Sequence, residues 1–155
     1  MSGADPEGRL AELGLRLPEP ARPLAAYVPA VRTGDHVYTA GQLPMVDGEL
    51  AGTGKVGADV TPERAAELAA VCALNALAAV KAEIGALARV VRVVKVTGYI
   101  ASAPGFTAQP AVLNGASELL GAVFGDRGRH ARSAVGVPVL PLDAPVEVEL
   151  IVEVE

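Results

Sequence analysis

At 155 residues and 15.7 kDa, the chain has the length of one compact domain. Its residues are 51% hydrophobic and 20% charged, which provides enough apolar material for a core and excludes a disordered chain. A net charge of −5 opposes binding to the phosphates of nucleic acids. The single cysteine, Cys72, excludes an internal disulfide and a multi-cysteine metal site.

The first 23 residues are predicted to be an extension that precedes one domain at 24–155. A short helix is expected from Pro6 to Leu13, and the prolines that follow it oppose regular structure (Pro18, Pro20 and Pro23). No export signal opens the chain, and the uncharged stretch from Leu68 to Val80 is shorter than the roughly 20 residues of a membrane span. We therefore expect a cytoplasmic protein with no membrane partner.

After the extension, the apolar pattern and the turn residues predict five strands and two helices. Thr61 and Pro62 are typical of a helix start, and Gly85 of a helix end. The predicted elements in chain order are two short strands within Ala30–Gln42, a turn at Asp47-Gly48, a glycine-rich loop, a helix from Thr61 to Gly85, a strand over Val90–Ile100, a helix from about Pro110 to Phe124, a strand that Arg132 opens, and a strand over Val146–Val154.

This order of elements predicts an α+β sandwich, with a mostly antiparallel sheet and both helices packed on one face. The strand over Val90–Ile100 carries apolar residues on both of its faces. We therefore expect another subunit to bury the face that the helices leave uncovered.

Several motifs are better explained by structure than by chemistry. The glycines at 52, 54 and 57 form a G-x-G-x-x-G, but the next helix begins only at Thr61, which predicts a loop and no dinucleotide site. Cys72 lies on an apolar helix face and is expected to fill the core. His36 and His130 form no ligand set with it, so we expect no metal, but His130 stands two residues before Arg132 and is retained as a residue at the edge of a site.

Two charged residues in the last third of the chain are candidates for function. Arg132 opens a strand of small apolar residues, where it is either a solvated strand end or a clamp that binds a carboxylate through two parallel hydrogen bonds. Glu147 points away from the valine stripe of the last strand, where it is either an exposed charge or a functional carboxyl.

The sequence resembles the Rid (YjgF-type) family of reactive-intermediate deaminases from about Tyr27 to the C-terminus. The segments that carry the resemblance are Arg132-Ser-Ala-Val135, Leu140-Pro141, Val146-Glu-Val-Glu149, Tyr38-Thr-Ala-Gly-Gln-Leu-Pro44, Tyr27-Val28, and the helix residues Asn75 and Asn114. No single segment is specific, whereas their combination is.

The resemblance implies a chorismate-mutase-like α+β fold and a homotrimer with clefts between its subunits. It also implies hydrolysis of enamines or imines, such as 2-aminoacrylate, to 2-oxo acids and ammonia without a cofactor or a metal. By the same resemblance, Arg132 binds the substrate carboxylate and Glu147 positions or deprotonates the attacking water. The remaining residues of the implied pocket are Tyr27, Gly41, Phe106, Asn114 and Ala134.

The sequence departs from the family pattern at three positions near the implied pocket. Ala40 replaces a serine, Ala134 replaces a cysteine, and His130 replaces a proline or an alanine. A non-catalytic binder of small carboxylates, such as 2-oxo acids, therefore stays open as a second hypothesis. A ribonuclease is a third, which the net charge of −5 disfavours.

Overall fold

The computed structural model describes residues 5–20, 22 and 25–155. Pro23, which belongs to the predicted proline cluster, therefore lies outside the described residues. The helices and strands are α1 (Pro6–Glu12), β1 (Ala30–Thr33), β2 (His36–Thr39), β3 (Met45–Val46), β4 (Glu49–Leu50), α2 (Pro62–Ile84), β5 (Val90–Ala101), α3 (Gln109–Phe124), β6 (Ala131–Val137) and β7 (Val146–Val154). The five predicted strands and two predicted helices are thus confirmed. The predicted turn at Asp47-Gly48 is present, but the short strands β3 and β4 that it joins into a hairpin were not predicted.

Five strands form one sheet in the order β1-β2-β7-β5-β6. Neighbouring strands are antiparallel except for β5 and β6, which are parallel because α3 crosses between them. The mostly antiparallel α+β sheet predicted from the sequence is therefore confirmed. The β6 strand lies at an edge of this sheet.

Both long helices pack on one face of the sheet, as predicted. On β7 the alternate residues from Val146 to Val154 are buried beneath the helices, and the residues between them point to the other face. At Gly98 of β5, an added Cβ would lie 2.4 Å from Leu113 of α3, so this helix lies close to the sheet backbone. Cys72 is fully buried in this core, and burial raises the pKa of its thiol well above the usual value.

Local sequence explains where α2 begins and ends. The hydroxyl of Thr61 accepts a hydrogen bond from the Arg64 N–H at 3.1 Å, Pro62 takes the first helical position, and Gly85 has a φ of 93°. By length and composition alone α2 could cross a membrane, but most of its apolar side chains are buried against the sheet and α3. It is the central core helix of this fold.

The N-terminal helix α1 packs against the same core. Leu10 is buried in the hydrophobic cluster, and the Glu7 carboxylate forms an ion pair with Lys81 of α2. The chain from Leu15 to Pro20 has no regular secondary structure.

The buried Asn75 of α2 anchors the segment that follows β2. Its side-chain amide donates to the carbonyls of Leu43 and Met45, at 3.1 and 3.0 Å. We expect Asn75→Ala to lower the free energy of unfolding by about 1–3 kcal/mol, because both half-buried carbonyls lose the hydrogen bonds that hold them to α2. Chemical denaturation measures this, with the exposed Asn114→Ala as the control. Equal stability of the two variants would contradict the anchoring role.

Candidate functional site

Glu147 lies on the face of the sheet that the helices leave uncovered. It pairs with Tyr99 across β5 and β7, and its side chain is half-buried. The chain bulges after β2, which brings Gly41 against the carboxyl group. A Cβ at Gly41 would lie 2.8 Å from both Cδ and Oε2 of Glu147, so only glycine fits here without moving this carboxyl. The structure therefore brings together two of the predicted site residues.

The surroundings of Glu147 favour its protonated form. Burial raises the pKa of this carboxyl, and the neighbouring charge of Glu149 raises it further. Glu149 accepts a hydrogen bond from the Tyr99 hydroxyl at 3.0 Å, and this bond is the main reason that the pKa of Tyr99 is raised. A carboxyl with a raised pKa can exchange protons closer to neutral pH than an ordinary glutamate.

Arg132 lies on the opposite face of the sheet, beside α3. The register pairs it with Val96 of β5, which in turn pairs with the buried Leu150 of β7. Its Nη1 donates to the Ser117 hydroxyl at 3.1 Å and its Nη2 donates to the Pro110 carbonyl at 3.2 Å. No carboxylate lies within 4 Å of the guanidinium among the described residues. A half-buried cation without an acidic partner can bind an anion.

One chain does not bring Arg132 and Glu147 together. They lie on opposite faces, two strands apart and three residues apart along β5. With roughly 4.8 Å between strands and roughly 3.3 Å per residue, their Cα atoms are about 14 Å apart. A small substrate that touches both side chains therefore requires residues of two copies of the chain.

Two of the other predicted pocket residues lie on the Arg132 side of the sheet. Asn114 is exposed on α3, one turn after Pro110 and one turn before Ser117, so it lies on the helix face beside Arg132. Ala134 lies on the same sheet face as Arg132, where it packs against the core.

The last two predicted pocket residues lie in loops, Phe106 after β5 and Tyr27 ahead of β1. The Phe106 ring covers Gly57, within 3.1 Å of where a Cβ would lie, and it packs against the core. Tyr27 is 52% exposed ahead of β1. Within the described chain, the hydrogen bonds of Arg132 include neither residue.

Three residues near the candidate site were not predicted: Ser117, Tyr99 and Glu149. The roles of Ser117 and Tyr99 come from partners on other elements, so the sequence alone could not reveal them. Glu149 could have been found, because its position two residues after Glu147 places both carboxyls on one face of β7. Among residues 5–20, 22 and 25–155, no three His, Cys, Asp or Glu side chains gather as a metal site would require.

Comparison with known proteins identifies the family. The model of the family described as "YjgF/chorismate mutase-like, putative endoribonuclease" matches residues 7–154. Protein TCP17 of Trypanosoma cruzi is 45% identical over 145 residues, which cover 93% of this chain and 91% of TCP17.

Two solved structures are similar over almost the whole chain. The protein Atu1372 of Agrobacterium tumefaciens, whose function is given as unknown, is 48% identical with a TM-score of 0.89, covering 96% of this chain and 91% of that one. A "putative endoribonuclease" from Shewanella oneidensis MR-1 is 36% identical with a TM-score of 0.94, covering 97% and 99%. The chain therefore has the chorismate-mutase-like α+β fold and belongs to the YjgF/chorismate mutase-like family.

Proposed function

We propose that the protein hydrolyses small enamines and imines derived from amino acids, such as 2-aminoacrylate, to 2-oxo acids and ammonia. The observation that carries the proposal is the pair of unusual charges in a YjgF-family fold. Arg132 is a half-buried cation without an acidic partner among the described residues, and Glu147 is a half-buried carboxyl whose pKa is raised. The first suits a substrate carboxylate, and the second suits proton transfer.

The active site in this proposal lies between two subunits of a homotrimer. Arg132 on the edge strand β6 of one subunit faces Glu147 and Gly41 on the uncovered sheet face of a second. That face exposes apolar side chains that a subunit contact would bury, namely Val31, Tyr38 and Val135. In this proposal the protein acts in the cytoplasm, and its reaction needs neither a metal nor a cofactor.

The chemistry needs only binding, one water and proton transfer. The guanidinium of Arg132 binds the substrate carboxylate. The enamine gains a proton at C3 and loses one from nitrogen, which gives the imine. As the water oxygen bonds to C2 of the imine, Glu147 takes a proton from that water. Glu147 then gives this proton to the substrate nitrogen. The C–N bond then breaks, the hydroxyl proton moves to the departing nitrogen, and ammonia and the 2-oxo acid remain.

The test is ammonia release from 2-aminoacrylate, which a separate dehydratase generates in the assay. We expect the protein to accelerate release over spontaneous decay, and Arg132→Ala to lose at least about 100-fold of kcat/KM because the carboxylate loses its charged partner. Arg132→Lys keeps the charge without the planar guanidinium, and its kcat/KM is expected to lie between those of the wild type and Arg132→Ala. Arg129→Ala removes a nearby exposed charge and controls for the change in net charge.

Absence of acceleration by the folded wild-type protein would overturn the hydrolase proposal. The second candidate, a non-catalytic carboxylate binder, would then require pyruvate to bind to the wild type and not to Arg132→Ala. The lone guanidinium beside α3 is the observation that favours this candidate, since binding needs no contribution from Glu147.

A further inference from the structure

Arg132 is the last member of a chain of hydrogen bonds that also contains Ser117 and His130. The Ser117 hydroxyl lies 3.1 Å from Nη1 of Arg132 and 2.9 Å from Nε2 of His130. The other ring nitrogen of His130, Nδ1, lies 2.6 Å from the carbonyl of Gly128. The four groups come from α3, from the turn that follows it and from the start of β6.

The chemistry of each group fixes the direction of these hydrogen bonds. The carbonyl of Gly128 can only accept, so Nδ1 of His130 carries the hydrogen. In the neutral ring Nε2 then has a lone pair and accepts the Ser117 hydroxyl hydrogen. The Ser117 oxygen still has lone pairs for the N–H of Arg132. Of the two neutral tautomers of His130, only the Nδ1–H form is therefore compatible with all three bonds.

These hydrogen bonds orient the Arg132 guanidinium but use only some of its N–H donors. Two of its five N–H groups are held by Ser117 and Pro110, and the others find no acceptor among the described residues. Among the described residues, the Ser117 hydroxyl bonds to His130 and Arg132 and not to the carbonyl of the preceding helical turn, which is a common partner of a serine within a helix.

We propose that Ser117 and His130 are positioning residues that hold the Arg132 guanidinium ready for the substrate carboxylate. The proposal rests on the proposed function, because it assigns to these residues the orientation of its carboxylate-binding group. Ser117 acts directly on Arg132. His130 acts through Ser117, by accepting the hydroxyl hydrogen and so directing the lone pairs of the oxygen toward the guanidinium.

The first measurement is the tautomer of His130 by NMR of its ring nitrogens. It is independent of activity and of any ligand. The chain has only two histidines, so the variant His36→Gln assigns both signals. We expect the hydrogen of neutral His130 on Nδ1. A hydrogen on Nε2 would overturn the proposed direction of the bonds.

The second measurement is the affinity for pyruvate, the expected product from 2-aminoacrylate. We expect Ser117→Ala to raise the Kd for pyruvate and the KM for 2-aminoacrylate about tenfold, with kcat reduced by less than about threefold. Ser117→Thr keeps the hydroxyl and is expected to stay within about threefold of the wild type. His130→Ala is expected to weaken binding about threefold, and His130→Gln to restore it because the amide oxygen can accept the same hydrogen.

The outcomes separate this proposal from the proposed function. A wild type that binds pyruvate without hydrolysing 2-aminoacrylate overturns the hydrolase proposal, and the pyruvate affinities of the variants still decide the positioning role. Unchanged Kd in folded Ser117→Ala and His130→Ala overturns the positioning role alone. A wild type that binds no pyruvate and releases no ammonia overturns both. Thermal unfolding of each variant shows that it is folded, and if Ser117→Ala fails to fold, the two His130 variants give the answer.

Discussion

Replacing Glu147 with glutamine is expected to lower kcat for ammonia release by at least about 100-fold while leaving pyruvate affinity unchanged. The amide has nearly the shape of the carboxyl, but it cannot take a proton from water or return one to nitrogen. Gly41 leaves no room between its backbone and the side chain at 147, so the glutamine is held in the same place. A loss of pyruvate affinity equal to the loss of turnover would instead assign Glu147 to binding.

Glu153→Gln is the matched control for this change. Glu153 lies on the same strand and the same sheet face, at the far end beside His36 of β2. We expect it to change kcat by less than about threefold. A comparable loss in both variants would show that the sheet face needs negative charge and not a proton acceptor at position 147.

The pH dependence of turnover gives a second test of Glu147. Because burial and Glu149 raise the pKa of Glu147, the rate is expected to rise with pH above the usual carboxyl range, as the general base loses its proton. Glu149→Gln removes the neighbouring charge and is expected to shift this rise to lower pH. An unchanged profile in Glu149→Gln would contradict the electrostatic coupling of the two carboxyls.

The raised pKa of Glu147 also makes the stability of the protein depend on pH. Native Glu147 binds its proton more tightly than the unfolded chain does. The free energy of unfolding is therefore expected to fall as the pH rises from the usual carboxyl pKa to the raised one. Glu147→Gln should remove this part of the pH dependence, which denaturation at several pH values measures.

The positions of helices and strands could be predicted because their signals are local. The alternation over Val146–Val154 and the cap at Thr61-Pro62 need no distant partner. The β3–β4 hairpin was missed because strands of two residues contain no measurable period. Arg132 and Glu147 could be selected as charged residues in apolar strands.

It could not be predicted whether Arg132 and Glu147 lie on the same face of the sheet. Alternation places Glu147 opposite the valine stripe, but the face of Arg132 depends on the parallel register between β5 and β6. The Ser117–His130 contact was hidden for the same reason, since it joins residues 13 positions apart on different elements. Such contacts arise from tertiary packing and leave no pattern in a single sequence.

Gly115→Ala is expected to lower the free energy of unfolding by about 3 kcal/mol or more, the largest stability effect that we predict. Gly115 lies where α3 crosses α2. A Cβ added there would lie 1.8 Å from the carbonyl oxygen of Ala66 and 2.6 Å from its carbonyl carbon. These are backbone atoms, which no change of rotamer can move, so the two helices would have to separate by more than an ångström.

Gly121→Ala on the same helix is the matched control. A Cβ there meets nothing within 4 Å, so the higher helix propensity of alanine is expected to stabilise the protein by about 0.5–1 kcal/mol. Denaturation at one protein concentration compares the two variants. Equal effects on the free energy of unfolding would mean that helix propensity alone decides the effect of alanine in α3. Opposite signs would show that close contact at Gly115 sets the position of α3. This contact would then also place Ser117, two residues further along the helix, within reach of Arg132.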